Sequence, residues 1–306
     1  MTTLHIYLFG RFDLGSPGQP VPALPSRRAR ELLSYLVLHR NHPQRREFLA
    51  NRLWDDAAPA QGGKLLRQAL WQLQTALRPL SKHDGLHLLE VDPEWVQLNS
   101  ANALQADVIG FEDAARSCHG ISGARLDQAE RDRLEHAVVL CRGELLEGWY
   151  QDWCLVERER LQNDLLDVLE KLVCACEARF ENERGLLHAR RILAIDPARE
   201  QVHRHVMRLH QQGGNRTGAL RAFQHCRQVL HEELGVDPSA QTLALHQAIR
   251  DGSPIAPEPL VEAGASMPPR PDLAALLAHA QALFADIETR LRDSLGPPER
   301  PADKPD

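Results

Sequence analysis

No apolar run in this 306-residue chain approaches the roughly 18 residues of a membrane span. The opening MTTLHIYLFGRFDLG alternates polar with apolar residues and carries no cleavage-site pattern. These two absences exclude a spanning segment and a signal peptide, so no membrane association is expected and a cytoplasmic location is predicted. The six cysteines, Cys118, Cys141, Cys154, Cys174, Cys176 and Cys226, include no C-x-x-C, which excludes a zinc ribbon or a dithiol redox motif. Cys174 and Cys176 sit two apart in a helical context and point away from each other, so the cysteines read as buried free thiols. Fifteen histidines include no H-E-x-x-H, and "HRH" at 203–205 turns its two imidazoles to different sides of a helix. No metal and no cofactor are expected. No catalytic site is visible either: the adjacent carboxylates Asp55-Asp56 and Glu232-Glu233 have no nucleophile or base beside them. An enzyme is not expected.

What is present is a soluble globular composition, 43% hydrophobic and 25% charged, in a chain long enough for two domains. The net charge of −6 hides a division. Residues 1–100 carry 12 Lys and Arg against 9 Asp and Glu, residues 101–250 carry 19 against 23, and the remainder carries 5 against 10. Between Ser26 and Arg52, seven arginines face two glutamates. Only the N-terminal third can therefore supply an electrostatic footprint on nucleic acid.

The stretch LLRQALWQLQTALRPL, Leu65–Leu80, places Leu66, Ala69, Leu70, Leu73, Leu77 and Leu80 at helical spacing on one buried face. Opposite them lie Gln61, Lys64, Gln68, Trp71 and Thr75, flanked by Arg67 and Arg78, and no acidic residue occurs from Gln61 to Leu80. A basic, amide-bearing face without carboxylates suits an anionic partner with edges to read.

Upstream, short strands at 1–25, including a brief return at VPAL, precede a helix capped by Ser26 over RRARELLSYLVLHR and a shorter one over RREFLANRLW. Downstream, LHLLEV and WVQLN flank the turn DPE, a β-hairpin signal. This order predicts a winged helix-turn-helix whose third helix enters the major groove and whose hairpin is the wing. From about Asp107 the pattern is helical throughout. Gly185 and Gly218 open two similar units 33 residues apart, close to the tetratricopeptide period, the second with a longer first helix. In both, Asp-Pro (Asp196-Pro197 and Asp237-Pro238) is expected to start the second helix, Asp as cap and Pro in the first turn. Stacked pairs of this kind leave a concave groove for a protein or small-molecule ligand.

The predicted fold is thus mainly α: an N-terminal winged helix-turn-helix (α+β) at 1–101, a tetratricopeptide-like all-α repeat domain at 102–251, a Pro-rich linker at 252–271, an amphipathic helix at 272–296 and a tail at 297–306. In that last helix Leu273, Leu277, Ala280, Phe284, Ile287 and Leu291 form a four-three seam. Either it zips to a second chain, with Leu277, Phe284, Ile287 and Leu291 as the dimer contacts, or it folds back on the repeats.

SRRARELLSYLVLHRNHPQRREFLANRLWDDAAPAQGGKLLRQALWQLQTAL resembles the OmpR-type winged helix of the SARP family of bacterial activators. RGELLEGWYQDWCLVERERLQNDLLDVLEKL, with the later signatures IDPAREQVHR and ELGVDPSAQT, resembles their bacterial transcriptional activator domain; together the two cover roughly residues 4–250. The resemblance implies a sequence-specific activator that binds double-stranded DNA at direct repeats and recruits RNA polymerase. By position it places Lys64, Gln68, Trp71 and Thr75 in the groove and Arg67 and Arg78 near phosphates. Gln suits an adenine edge, and Lys suits guanine acceptors or phosphate. Trp71 either touches DNA or packs under the wing. Arg27, Arg28, Arg45 and Arg46, at the starts of the first two helices, are placed to clamp the backbone.

G-x-x-x-x-G-K-[ST] does not occur, so the ATPase module of larger relatives is not expected, and with the winged helix read from about residue 4 a preceding receiver domain is not expected either. Two departures from the family pattern predict weaker DNA binding than is usual for it. LQTAL stands where relatives carry an LRRAL-like run, and the wing turn EVDPEW is acidic. They also define the rival reading, an interaction scaffold whose winged helix has lost DNA affinity and whose repeat groove holds a protein.

Overall fold

The computed structural model describes residues 4–15, 24, 26–40, 42–54, 59–81, 88–98 and 104–254. The helix expected at 272–296, with its seam, and most of the strand return expected near residue 22 lie outside the described residues.

Strand β1 (Leu4–Tyr7) alternates, sending Leu4 and Ile6 into the core, and the buried Leu8 continues the pattern. It pairs antiparallel with β2 (Asp13–Gly15) and, on its other edge, parallel with β6 (Leu104–Ala106), giving the order β2-β1-β6. Helix α1 (Arg27–Leu38) starts as its sequence predicts: Ser26 Oγ accepts the Ala29 N–H at 3.1 Å. Its face of Ala29, Leu32, Leu33, Leu36 and Val37 is buried. Helices α2 (Arg46–Leu53) and α3 (Pro59–Ser81) follow. α3 buries Leu66, Ala69, Leu70, Leu73, Ala76 and Leu77 along one side.

The wing hairpin is β4 (Leu89–Val91) with β5 (Trp95–Leu98). A two-residue strand β3 (Gln44–Arg45) pairs with β5 ahead of α2, so the wing sheet has the order β3-β5-β4. The N-terminal architecture is a winged helix-turn-helix, and mainly helical structure follows.

The helices are α4 (Asp107–Ser117), α5 (Gln128–Leu140), α6 (Asp152–Ala178), α7 (Asn182–Ile195), α8 (Glu200–Gln212), α9 (Arg216–Leu234) and α10 (Ala240–Asp251), each packed on its neighbours in sequence. α9, with 19 residues against 14 in α7, is the longer first helix expected of the second unit. Gly185 permits close packing there, since a Cβ would come within 2.9 Å of Leu209 Cδ1.

The Asp-Pro expectation is corrected. Asp196 ends α7, its N–H still bonded to the Ile192 carbonyl at 2.8 Å, and α8 begins only at Glu200. Pro197 lies in the connecting turn and lends its carbonyl to the His203 ring at 2.9 Å. Ser239, not Asp237, occupies the N-cap of α10, and its hydroxyl and N–H both donate to Glu200. In each case the aspartate before proline lies in the connection between two helices and not at the N-cap of the second.

The described residues belong to one compact unit. The buried Asp107 carboxylate accepts the N–H groups of Leu8, Phe9 and Val108 at 2.7–3.0 Å; burial pushes its pKa up against those three bonds. Residues 144–147 continue the edge beyond β1, with Leu146 N–H on the Leu8 carbonyl at 2.8 Å. Arg40, just after α1, donates to Glu112 of α4 at 2.6 Å, and Arg160 of α6 donates to the other Glu112 oxygen at 2.7 Å. Backbone pairing and buried ion pairs thus fasten the winged helix to α4 and α6.

Candidate nucleic-acid interface

α3 turns its leucines inward and leaves Lys64, Arg67, Gln68, Trp71, Gln74, Thr75 and Arg78 exposed. Lys64, Gln68, Trp71 and Thr75 follow one another at steps of four, three and four, a single stripe along the helix. Trp71 is 66% exposed, which places its indole in solvent and not beneath the wing. The Thr75 hydroxyl donates to the Trp71 carbonyl at 2.7 Å, so toward a ligand it acts as an acceptor and through its methyl group.

The N-terminus of α1 borders this stripe. Ser26 Oγ donates to Gln72 Oε1 at 2.5 Å, tying the α1 cap to α3. A hollow of about 370 Å³ lies between the two helices, lined among others by Ser26, Arg27, Arg28, Glu31, Gln68 and Gln72. The structure therefore brings Arg27, Arg28 and Gln68 to one surface depression. Arg27 is 62% exposed on its side chain while its Nε donates to Glu31 at 2.9 Å, so one edge of the guanidinium is fixed and the other faces out.

Arg45 and Arg46 belong to the wing as much as to α2. Arg45 lies in β3 opposite Trp95, with its guanidinium 5.4 Å from the ring centroid. Arg46 donates to the Asp92 carbonyl at 3.0 Å. The acid at the wing turn is partly spent on the turn itself, since Asp92 Oδ1 accepts the N–H groups of Glu94 and Trp95 at 2.8 and 2.6 Å.

Sequence reasoning missed the hub behind this surface. Glu31 is only 4% exposed. Its carboxylate accepts from Arg27, from the Trp54 indole at 2.9 Å and from Gln151 at 2.8 Å. Gln151 is the N-cap residue of α6, so one carboxylate joins the α1 terminus, the end of α2 and the helical region.

A winged helix with an acid-free exposed α3, joined to a run of packed helices, defines the architecture of a transcriptional regulator. Residues 106–250 match the family model for the bacterial transcriptional activator domain. That region belongs to the bacterial transcriptional activator domain family, and the chain is similar along most of its length to bacterial regulatory proteins. It is 25% identical over 244 residues to the transcriptional regulatory protein MoaR1 of Mycobacterium tuberculosis, covering 79% of this chain and 78% of that one. To the regulatory protein DnrI of Streptomyces peucetius it is 28% identical over 248 residues, covering 75% and 86%. To the regulatory protein AfsR of Streptomyces coelicolor it is 27% identical over 240 residues, 76% of this chain but 23% of that much longer protein. Among solved structures, Mycobacterium tuberculosis EmbR in complex with a low-affinity phosphopeptide superposes with a TM-score of 0.69 at 19% identity, over 94% of this chain and 72% of that one, a likeness of fold. No helix among the described residues is long and apolar enough to cross a membrane.

Proposed function

We propose that this regulator is a sequence-specific, double-stranded-DNA-binding activator that reads base edges with α3 and contacts RNA polymerase through its helical region. The observation that carries the reading is the exposed stripe Lys64, Gln68, Trp71 and Thr75 on a helix without a carboxylate from Pro59 to Ser81. Gln68 and Lys64 present donors to base edges, and Thr75 presents a methyl group and lone pairs. Arg27, Arg28, Arg45, Arg46, Arg67 and Arg78 supply phosphate contacts that set register. In this reading residues 1–101 hold the DNA and 102–251 serve the polymerase, the latter role resting on the family. Residues 272–296, through Leu277, Phe284, Ile287 and Leu291, are the part expected to pair two subunits on repeated sites.

The test is selection of fragments of the source genome by the purified chain at two salt concentrations, with and without residues 272–306. A repeated motif recovered with affinity that falls as salt rises supports the reading, and its loss on truncation supports pairing through the tail. The uncharged Gln74 and Thr75 and the wing carboxylates Glu90, Asp92 and Glu94 favour the scaffold instead. Absence of enrichment at low salt from folded protein would leave that alternative standing.

A further inference from the structure

Of the six free cysteines, Cys118, Cys141, Cys154, Cys176 and Cys226 are buried, and Cys174 alone is partly exposed. Burial pushes the Cys141 and Cys226 thiols up to about 12, far from reactivity at neutral pH. Cys174 has different company. Its Sγ lies 3.7 Å from Nε2 of His205, across the packed faces of α6 and α8. The other ring nitrogen of His205, Nδ1, is 2.5 Å from Oε2 of Glu177. Cys174 and Glu177 are three apart on α6 and so share a face, while His205 and Arg208 share the facing side of α8. The Arg208 guanidinium, Nε 3.9 Å from Glu177, adds a cation to the cluster.

This is the arrangement of a nucleophile, a base within hydrogen-bond reach and a carboxylate that orients the base. The ring is 97% buried, and although burial opposes its charge, Cys174 and Glu177 outweigh that cost and hold its pKa up to about 9. When protonated, the ring sets a cation against the sulfur, with the Glu177 carboxylate on its far side.

We propose that Cys174, with His205 as its proton partner and Glu177 as the positioning residue, is a modification site that reacts with hydrogen peroxide or a small organic hydroperoxide. The partly covered sulfur suits a small reagent. The thiolate attacks one peroxide oxygen, the O–O bond breaks, and the leaving hydroxide or alkoxide takes the proton from Nε2. The products are the sulfenic acid on Cys174 and water or an alcohol; sulfur is oxidised by two electrons and the peroxide is reduced by two. The oxidised atom lies between α6 and α8, within the activator-domain region, so the modification acts on that helix contact.

The experiment exposes the full chain to hydrogen peroxide with dimedone present and measures the adduct at each cysteine by mass spectrometry, in native buffer and in urea. The expected result is that Cys174 is labelled first and reacts faster in the folded chain than in the unfolded one, by about tenfold or more, because only the fold supplies the base. A native rate equal to or below the unfolded rate, or earlier labelling of another cysteine, overturns the proposal. Glu177→Gln keeps the shape and an acceptor but removes the charge. It is expected to lower the native rate several-fold while leaving the rate in urea unchanged, and an unaltered native rate removes Glu177 from the site.

Discussion

Gln151 donates a 2.8 Å hydrogen bond to Oε1 of Glu31, the same oxygen that receives Nε of Arg27 at 2.9 Å. A residue at the start of α6 therefore steadies, through one buried carboxylate, an arginine on the face assigned to DNA. Gln151→Leu removes one of three donors from a carboxylate that is otherwise well paired. The expected cost is about 1–3 kcal/mol in urea denaturation. Loss of DNA affinity should accompany it, equal for all sequences, as Arg27 loses its fixed geometry. Unchanged DNA affinity in a variant that shows the stability loss would mean that Arg27 is not positioned through Glu31.

Two kinds of contact on the α3 face should separate by measurement. Gln68→Ala is expected to relax preference at one base pair by about 1–3 kcal/mol. Arg67→Ala should instead weaken all sequences alike and reduce the slope of log affinity against log salt by about one. Arg27→Ala should behave like Arg67→Ala. Arg46→Ala should add a loosened wing, since it also loses its bond to the Asp92 carbonyl. A uniform loss from Gln68→Ala, with no change in preference, would contradict its role as a base reader.

Acid stability should depend on His203. Burial lowers its pKa from the usual 6.5, partly offset by the Pro197 carbonyl, while the neighbouring His225 lowers it further. A ring kept neutral in the fold binds its proton more readily when unfolded. Its contribution is therefore present above about pH 6.5 and is lost as pH falls through the lowered folded value. His203→Gln keeps a donor for the Pro197 carbonyl and cannot titrate. It should reduce the slope of stability against pH below 6.5 by up to about 1.4 kcal/mol per pH unit. His39, also lowered chiefly by burial, sustains part of the slope in the variant. An identical slope in the two proteins would place the acid response elsewhere.

Much of the winged helix is legible in the chain because its signals are local. The α3 leucines recur at helical spacing over four turns, Ser26 precedes an apolar helix, and DPE separates two alternating runs. The strands β3 and β6, of two and three residues, are too short for alternation and exist because distant strands receive them. Glu31 gives no sign of burial in the run RRARELL, since Trp54 and Gln151, which complete its pairing, come from other elements. Asp196 and Asp237 carry the residue type of a cap, but Asp196 still bonds back to α7 and Ser239 takes the cap position of α10. The candidate readers on α3 follow from periodicity alone, while the hub that steadies Arg27 requires the tertiary structure.

The parallel register that sets His5 against Gln105 has a consequence for how the chain is made. While the protein is being synthesised, one edge of β1 stays open, and the Leu8 and Phe9 amides go unmet, until Asp107 has left the ribosome. A fragment ending at residue 101 would carry the whole of α3 and still lack the strand and the carboxylate that close its first sheet. The winged helix is complete only when the helical region has begun to fold against it.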